Sequence, residues 1–156
     1  GTECPLVIDA DALNMLAETD YRLWASRRYP VILTPHPGEM ARLAGVSTAE
    51  VQQNRIQLAM DYAQKYGVTL VLKGAHTVIA TPAGTAYINT TGSPAMGTGG
   101  AGDVLTGMIS GLLAQGLNAV QAAAFGVYLH GLAGERASHR RYDLSALIAG
   151  DIIEAL

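Results

Sequence analysis

Short continuous apolar runs alternate along the chain with segments of helical periodicity. Residues 5–8, 31–34 and 68–72 are such runs, and this pattern is typical of strands that are buried on both faces of a parallel sheet. Two further runs, residues 78–80 and 86–88, flank the turn sequence Pro82-Ala83-Gly84-Thr85 and predict a hairpin. The sheet is therefore expected to be mostly parallel, with an antiparallel margin.

Helices are predicted between the strands of the first half. One follows the first strand, and a short one leads from the loop at residues 35–39 through Leu43. Ser47 and Glu50 have the spacing of a capping box, which opens a single longer helix that ends near Gly67. The apolar face of this helix consists of Val51, Leu58, Ala59, Tyr62, Ala63 and Tyr66.

Further helices are predicted after the glycine-rich segment at residues 97–102. The first is ended by Gly116, is expected to pack closely through Gly107 and Gly111, and has an apolar face of Val104, Leu105, Met108, Ile109, Leu112 and Leu113. The second spans about residues 120–137 and lies in the most apolar stretch of the chain, which predicts a buried helix. Ser145 is the expected cap of a final helix through Ile152 and Ile153.

Strands that alternate with helices indicate a layered α/β fold. At 156 residues and 49% hydrophobic content, the chain has the length of one domain. It nevertheless begins directly on a strand of the buried type, and so short a parallel sheet would leave apolar surface and unpaired backbone groups at one edge. We therefore expect earlier strands, in the same chain or in a companion chain.

The charge and cysteine content exclude some classes of protein. The net charge is -3 and only 10 Lys and Arg residues are spread along the chain, which disfavours nucleic acid or an anionic membrane as a partner. The apolar stretch at residues 119–134 is too short to cross a bilayer. Cys4 is the only cysteine, and the first residues lack the pattern of a secretory signal. These features predict a cytoplasmic protein.

The loop at residues 97–103 has the sequence Gly-Thr-Gly-Gly-Ala-Gly-Asp. Its glycine spacing matches the dinucleotide fingerprint, but the buried strand before that fingerprint and the acidic residue beyond it are missing, and no Walker lysine follows. Glycines that admit an anion close to the backbone, followed by the free N–H groups of a helix start, predict a phosphate site. Asp103 either complements the helix dipole or acts as a general base beside the phosphate.

Three other loops follow predicted strands, where open α/β sheets place ligands. Residues 73–77, Lys-Gly-Ala-His-Thr, either bind a ligand or form a plain turn with an exposed lysine. His36 and Glu39 are either site residues or a structural histidine and a first-turn glutamate. Asp9 and Asp11 flank the exit of the first strand, where Asp11 is either a helix cap or a contact to Mg²⁺ or a ligand. No spacing resembles a zinc site.

Four motifs, in this order, resemble those of the ADP/ATP-dependent NAD(P)H-hydrate dehydratases. They are residues 7–14 (Val-Ile-Asp-Ala-Asp-Ala-Leu-Asn), 34–39 (Thr-Pro-His-Pro-Gly-Glu), 72–77 (Leu-Lys-Gly-Ala-His-Thr) and 99–107 (Gly-Gly-Ala-Gly-Asp-Val-Leu-Thr-Gly). The resemblance covers essentially the whole chain. It implies that residues 1–156 are the C-terminal part of a single ribokinase-like dehydratase domain, a three-layer α/β/α fold that here lacks its N-terminal strands.

The resemblance implies a cofactor repair reaction, in which the S form of hydrated NADH or NADPH loses water with ADP or ATP as phosphoryl donor and Mg²⁺ as cofactor. Asp103 is implied as the base that activates the ring hydroxyl, and His36 as a contact to the hydrated cofactor. The amides of residues 100–102 would stabilise the transferred phosphoryl group, and Glu39 would hold a water of the magnesium shell. The implied nucleotide-binding residues are Lys73, Gly74, Ala75, His76, Thr77, Gly100 and Gly102. The family also implies a homo-oligomer.

Two alternatives remain open. A small-molecule kinase of the same superfamily, of the hydroxymethylpyrimidine or thiazole type, would use the same loop and base but release a phosphorylated product. His36 stands where sugar kinases of the superfamily typically have asparagine, which favours the dehydratase. A non-catalytic nucleotide-binding fragment would instead bind nucleotide without turnover, even with the missing half supplied.

Overall fold

The computed structural model describes residues 4–19, 27–140 and 147–156. The chain divides into two compact units, residues 1–88 and residues 89–156, and each unit contains a hydrophobic core of its own. Within the residues described, none of the helices combines the length and the apolar character that crossing a bilayer requires.

The first unit is built on a five-stranded mixed sheet with the strand order β1-β2-β3-β4-β5. The first three strands are parallel to one another, whereas β4 and β5 add to β3 in antiparallel fashion. The strands are β1 Leu6–Ile8, β2 Val31–Leu33, β3 Thr69–Leu72, β4 Val78–Ala80 and β5 Ala86–Ile88. The predicted parallel strands and hairpin are confirmed, although the antiparallel margin contributes as many strand pairs as the parallel part.

β1 differs from the other parallel strands in its burial. β2 and β3 are buried along their whole length, whereas every residue of β1 is only half-buried. The prediction that the first strand is buried on both faces is therefore wrong for this chain. The reason is its position, because β1 pairs with β2 alone in the described sheet and so forms its edge.

Four helices accompany the sheet in the described part of the first unit: α1 Asp11–Ala17, α2 Pro37–Ala44, α3 Thr48–Gln53 and α4 Arg55–Tyr66. The predicted capping box is present, since Ser47 Oγ accepts the Glu50 N–H at 3.2 Å and the Glu50 carboxylate accepts the Ser47 N–H at 2.8 Å. The Ser47 hydroxyl, and secondarily the Ser47 backbone N–H, hold the pKa of Glu50 below its ordinary value. Gly67 ends α4 in the left-handed conformation, as predicted.

The prediction of one continuous helix from Ser47 to Gly67 is wrong. The chain leaves the helical conformation at Asn54, with φ -128° and ψ 35°, and α4 starts afresh at Arg55. Asn54 and Arg55 lie three and four positions after the buried Val51, where a continuous amphipathic helix would require apolar side chains. The polar pair therefore interrupts the stripe, and the helix with it.

The described part of the second unit contains a 3₁₀ turn, Pro94–Met96, and the helices α5 Ala101–Ala114, α6 Ala119–Arg140 and α7 Ala149–Glu154. Its core contains Ala101, Ala133, Ala137, Leu147, Ile152 and Ala155. Ser145, the predicted cap of the last helix, lies outside the described residues. At the start of α7, the Asp151 carboxylate accepts the Ile148 N–H at 2.8 Å.

Two predictions about the packing of these helices are wrong. α6 is not buried all round, since Phe125, Tyr128 and Leu129 are exposed. Gly107 and Gly111 are exposed as well, and a Cβ at either position would meet no atom of the described residues within 4 Å. Close packing instead uses Gly126 of α6, where a Cβ would lie 2.6 Å from Ile109 Cγ1 of α5.

Candidate active site

The carboxyl ends of β1, β2 and β3 lie side by side in the first unit. The Thr34 N–H donates to the Ile8 carbonyl at 3.1 Å, and the Lys73 N–H donates to the Pro35 carbonyl at 2.8 Å. The parallel pairing thus continues past the strands themselves. This extension brings Asp9, His36 and Lys73 to the carboxyl-terminal end of the sheet, where open α/β folds bind ligands.

Lys73 lies between two acidic side chains at this end of the sheet. Its Nζ lies 2.7 Å from Asp9 Oδ1 and 4.0 Å from Glu39 Oε2. The Lys73 side chain is only 20% exposed, and those of Asp9 and Glu39 only 10% and 7%. The alternative of a plain turn with an exposed lysine is therefore wrong for Lys73, whereas residues 74–76 do form an exposed turn. Because these charges are largely shielded from water, removing one partner is expected to be costly.

His36 and Glu39 cap the start of α2 together. His36 Nδ1 accepts the N–H groups of Gly38 at 2.9 Å and Glu39 at 3.4 Å, and Glu39 Oε2 accepts the His36 N–H at 2.7 Å. Because Nδ1 accepts, the neutral ring carries its proton on Nε2, which lies 3.4 Å from Glu39 Oε1. The structural roles of both residues are confirmed. The His36 side chain remains 52% exposed, so its ring is also open to a ligand.

Backbone strain flanks this group of residues. Among the described residues, Ala10 and His76 are the non-glycine residues with positive φ, at 53° and 55°. Ala10 directly follows Asp9, and His76 lies in the turn after Lys73. Such conformations cost about 1–3 kcal/mol and cluster at functional sites.

Asp11 does not cap α1. It is the first residue of that helix and is exposed, while the N-cap position belongs to Ala10 and no side chain of the described residues caps the helix. The capping alternative is therefore wrong, and Asp11 places a carboxylate in the first helical turn.

Arg55 is a residue that the sequence analysis missed. Its Nη2 donates to the carbonyl oxygens of Leu72 at 3.2 Å and Lys73 at 3.4 Å. Burial of the guanidinium lowers the pKa of Arg55. The sequence does contain a signal for this residue, because the polar pair Asn54-Arg55 falls on the expected apolar face of a helix. The pair marks the start of a new helix and not the solvated surface of a continuous one.

In the second unit, the glycine loop leads directly into α5. Gly100 is the N-cap and has the left-handed φ of 85°. A Cβ at this position would lie 3.2 Å from the Ala149 Cβ, so both the conformation and the packing favour glycine. No side chain of the described residues caps this helix. Its start therefore offers N–H groups and the positive end of the helix dipole to an anion.

Asp103 lies in the first turn of α5 and is exposed. Ion pairs join Lys73 to Asp9 and Glu39, and His36 to Glu39, whereas no ion pair among the described residues involves Asp103. Its carboxylate is thus not committed to a cation, as a general base requires.

The described residues contain no group of three or more His, Cys, Asp and Glu side chains that would hold a metal ion. Glu39 Oε2 is engaged by the backbone of its own helix, which leaves Oε1 as the candidate oxygen. Oxygen donors suit Mg²⁺, which retains several waters and is commonly held by one or two carboxylates together with substrate phosphates. The donors present thus fit a magnesium ion carried mainly by a nucleotide, and not one caged by the described residues alone.

The sequence model of the NAD(P)H-hydrate dehydratases matches residues 1–156, the full extent of the chain. The chain belongs to the NAD(P)H-hydrate dehydratase family. The resemblance carried by the four sequence motifs is therefore confirmed.

Two curated members of this family illustrate the similarity. The chain is 53% identical over 154 residues to the bifunctional NAD(P)H-hydrate repair enzyme of Moorella thermoacetica. These residues make up 99% of the chain and 29% of that enzyme. It is 41% identical over 153 residues to the ADP-dependent (S)-NAD(P)H-hydrate dehydratase of Bacillus subtilis, with 97% of the chain and 53% of that protein covered. The chain thus spans about half the length of the single-function dehydratase and less than a third of the bifunctional enzyme.

Solved structures of this dehydratase family and its relatives confirm the ribokinase-like fold. The Bacillus subtilis ADP/ATP-dependent NAD(P)H-hydrate dehydratase, co-crystallised with ATP and Mg²⁺, has a TM-score of 0.87 at 40% identity, with 98% of this chain and 53% of that chain covered. A ribokinase-like superfamily protein of Enterococcus faecalis has a TM-score of 0.75 at 32% identity, with 96% and 52% covered. A hydroxyethylthiazole kinase of Pyrococcus horikoshii, at 20% identity and a TM-score of 0.71, shares the fold alone.

Proposed function

We propose that this chain acts in the nucleotide-dependent dehydration of the S form of hydrated NADH and NADPH, with ADP or ATP as phosphoryl donor. Family membership supports the reaction class, since the Bacillus subtilis relative is an ADP-dependent (S)-NAD(P)H-hydrate dehydratase. The observation that carries the proposal is the start of α5, which combines a left-handed Gly100, no side-chain cap among the described residues and an exposed Asp103.

In the proposed reaction, Asp103 takes the proton of the ring hydroxyl as the hydroxyl oxygen attacks the terminal phosphorus of the nucleotide. An oxygen–phosphorus bond forms, and the bond from that phosphorus to the bridging oxygen breaks, which yields AMP from ADP or ADP from ATP. The amides of residues 100–102 stabilise the charge on the transferred group. Loss of inorganic phosphate from the ring, with a proton from the adjacent carbon, then restores the ring double bond.

The residues of the first unit are assigned to binding. We assign His36, whose ring is half exposed, to the hydrated cofactor, and residues 73–77 to the adenine nucleotide. Because Lys73 Nζ is paired with Asp9 at 2.7 Å, the turn would contact the nucleotide chiefly through its backbone and through residues 74–77. The Thr77 hydroxyl closes this turn by donating to the Gly74 carbonyl at 3.0 Å.

Magnesium is assigned a supporting role. We propose that it arrives with the nucleotide phosphates and that Glu39 holds one of its waters. When bound, the ion supplies positive charge that offsets the charge developing on the transferred phosphoryl group.

We also propose to which domain the chain belongs, how it assembles and where it is located. We infer that residues 1–156 are the C-terminal part of a single domain, because they cover about half of the Bacillus subtilis relative and because β1 forms a half-buried edge of the described sheet. Assembly into a homo-oligomer and a cytoplasmic location remain part of the proposal.

Product analysis tests the reaction. The native gene product that contains this chain is incubated with hydrated NADPH and either ADP or ATP, and the 156-residue chain is assayed beside it. We expect NADPH absorbance to rise together with equal amounts of inorganic phosphate and of AMP or ADP. A stable phosphoester without NADPH would indicate a kinase, and nucleotide binding without any product would indicate a non-catalytic protein.

A further inference from the structure

Arg55 holds the chain at the point where β3 passes into the turn of residues 73–77. Besides its two bonds to the carbonyls of Leu72 and Lys73, its Nη1 donates to Gln52 Oε1 at 3.2 Å. These acceptors are all neutral oxygens. Withdrawing a guanidinium from water to hold neutral main-chain groups carries a desolvation cost, so the arrangement calls for an explanation beyond local packing.

Gly74 shows how closely the guanidinium is fitted to the turn. A Cβ at Gly74 would lie 3.0 Å from Arg55 Nη1 and 3.2 Å from Nη2, and the residue has a φ of 137°. The glycine therefore meets two demands at once, since it supplies a conformation that other residues rarely adopt and it leaves room for the arginine.

The interruption of the helix at Asn54 serves the same contact. Because α4 starts anew at Arg55, the arginine occupies the first position of a helix and not the middle of a continuous one. A planar guanidinium can donate to two carbonyl oxygens at once, which a lysine ammonium cannot do in the same fixed geometry.

We propose that Arg55 is a positioning residue for nucleotide binding, which fixes the backbone of residues 73–77 in the conformation that receives the adenine nucleotide. The inference rests on the proposed assignment of that turn to the nucleotide. It adds a residue of α4 that lies 18 positions before Lys73, the first residue of the turn. Arg55 acts through the turn and is not assigned a contact with the nucleotide.

The test compares Arg55→Lys and Arg55→Met with Arg42→Lys in the native gene product that contains this chain. Arg42 is a matched control, because it is an arginine of α2 whose Nε donates to Asn14 Oδ1 at 2.8 Å instead. Hydrogen exchange of residues 74–77 without nucleotide measures the order of the turn. Calorimetric titration gives the Kd of ADP or ATP, and steady-state kinetics give the KM of the hydrated cofactor.

We expect both Arg55 variants to accelerate amide exchange in the turn and to raise the nucleotide Kd about tenfold, as expected from the loss of charge-assisted hydrogen bonds. The KM of the hydrated cofactor should change less than about twofold, and Arg42→Lys should leave all three quantities unchanged. If Arg55→Met does not fold, Arg55→Lys still decides the question.

If the wild type binds nucleotide and Arg55→Lys leaves both amide exchange and the nucleotide Kd unchanged, the inference about Arg55 is overturned. The proposed function would not be affected by that result. An equal loss of affinity for nucleotide and hydrated cofactor would also overturn the inference about Arg55, because that pattern indicates a merely structural role. Failure of the wild type to bind nucleotide would overturn the proposed function together with the inference, whatever the exchange result.

Discussion

The two groups of candidate site residues differ in how far their polar atoms are already engaged within the protein. In the first unit, Lys73 pairs with Asp9. The His36 ring accepts the Glu39 N–H, and the Glu39 carboxylate accepts the His36 N–H, so the two residues cap α2 together. In the second unit, the start of α5 has no side-chain cap among the described residues, and Asp103 is exposed without an ion pair there. One group is thus largely satisfied within the fold, and the other is open.

This difference separates two kinds of contribution. Buried polar groups that satisfy one another fix the positions of strand ends and loops, and their loss is expected to appear mainly as lost stability. Uncapped helix N–H groups and an unpaired carboxylate contribute little to the fold, and their loss is expected to appear mainly in binding and chemistry.

The largest effect is expected for Asp103→Asn. Because an amide cannot accept the proton, turnover should fall by a factor on the order of 10² to 10⁴, while the Kd for ADP should stay within about tenfold, since the substitution also removes a repulsive charge. NADPH absorbance measures turnover, and titration calorimetry measures binding. Asp61→Asn, which neutralises an exposed carboxylate on α4 that accepts from Gln57, is the matched control. Unchanged turnover in Asp103→Asn would remove the base from the proposal.

A stability effect of about 2–3 kcal/mol is expected for Lys73→Met, because it removes the cation that lies 2.7 Å from the largely buried Asp9 carboxylate. Urea denaturation measures this change in the free energy of unfolding. Lys65→Met is the control: Lys65 is exposed and its Nζ lies 5.0 Å from the centre of the Tyr66 ring, so the loss should stay below about 1 kcal/mol. Adding Asp9→Asn to Lys73→Met should recover part of the stability. Equal losses for the two lysine variants would contradict the view that the first group is a buried network.

A smaller effect is expected for Gly100→Ala, since a left-handed conformation costs a non-glycine residue about 1–2 kcal/mol. Gly116→Ala is matched for this strain, because Gly116 follows α5 with a φ of 94° and has no atom of the described residues within 4 Å of a built Cβ. Gly100→Ala should lose at least as much stability as Gly116→Ala, because its Cβ also meets the Ala149 Cβ at 3.2 Å, and only Gly100→Ala should weaken ADP binding, by about tenfold. Equal ADP affinity in the two variants would show that the glycine loop is structural only.

The sequence predicts the parts of the fold that have a clear period or a local signature. The three parallel strands, the hairpin, the capping box at Ser47 and Glu50 and the helix after the glycine loop all follow from such signals. The orientation of Asp103 toward solvent is also consistent with its place in the first turn of α5.

The errors arise where contacts between distant positions decide the outcome. The pairing of Lys73 with Asp9 joins residues 64 positions apart, and no local pattern selects Asp9 over Asp11. The break at Asn54 places Arg55 against the end of β3, 17 positions away from Leu72, which propensity alone does not reveal. The half-exposed β1 and the exposed face of α6 reflect the neighbours that each element has in this chain.

The most direct test of the central claim, that the start of α5 binds the nucleotide phosphates, is an NMR titration that follows every backbone amide. Adenosine serves as the phosphate-free control for ADP. The account predicts that ADP produces its largest amide shifts at Gly100, Ala101, Gly102 and Asp103, and that adenosine leaves these residues unchanged. ADP binding that shifts other residues while Gly100 to Asp103 stay in place would contradict it.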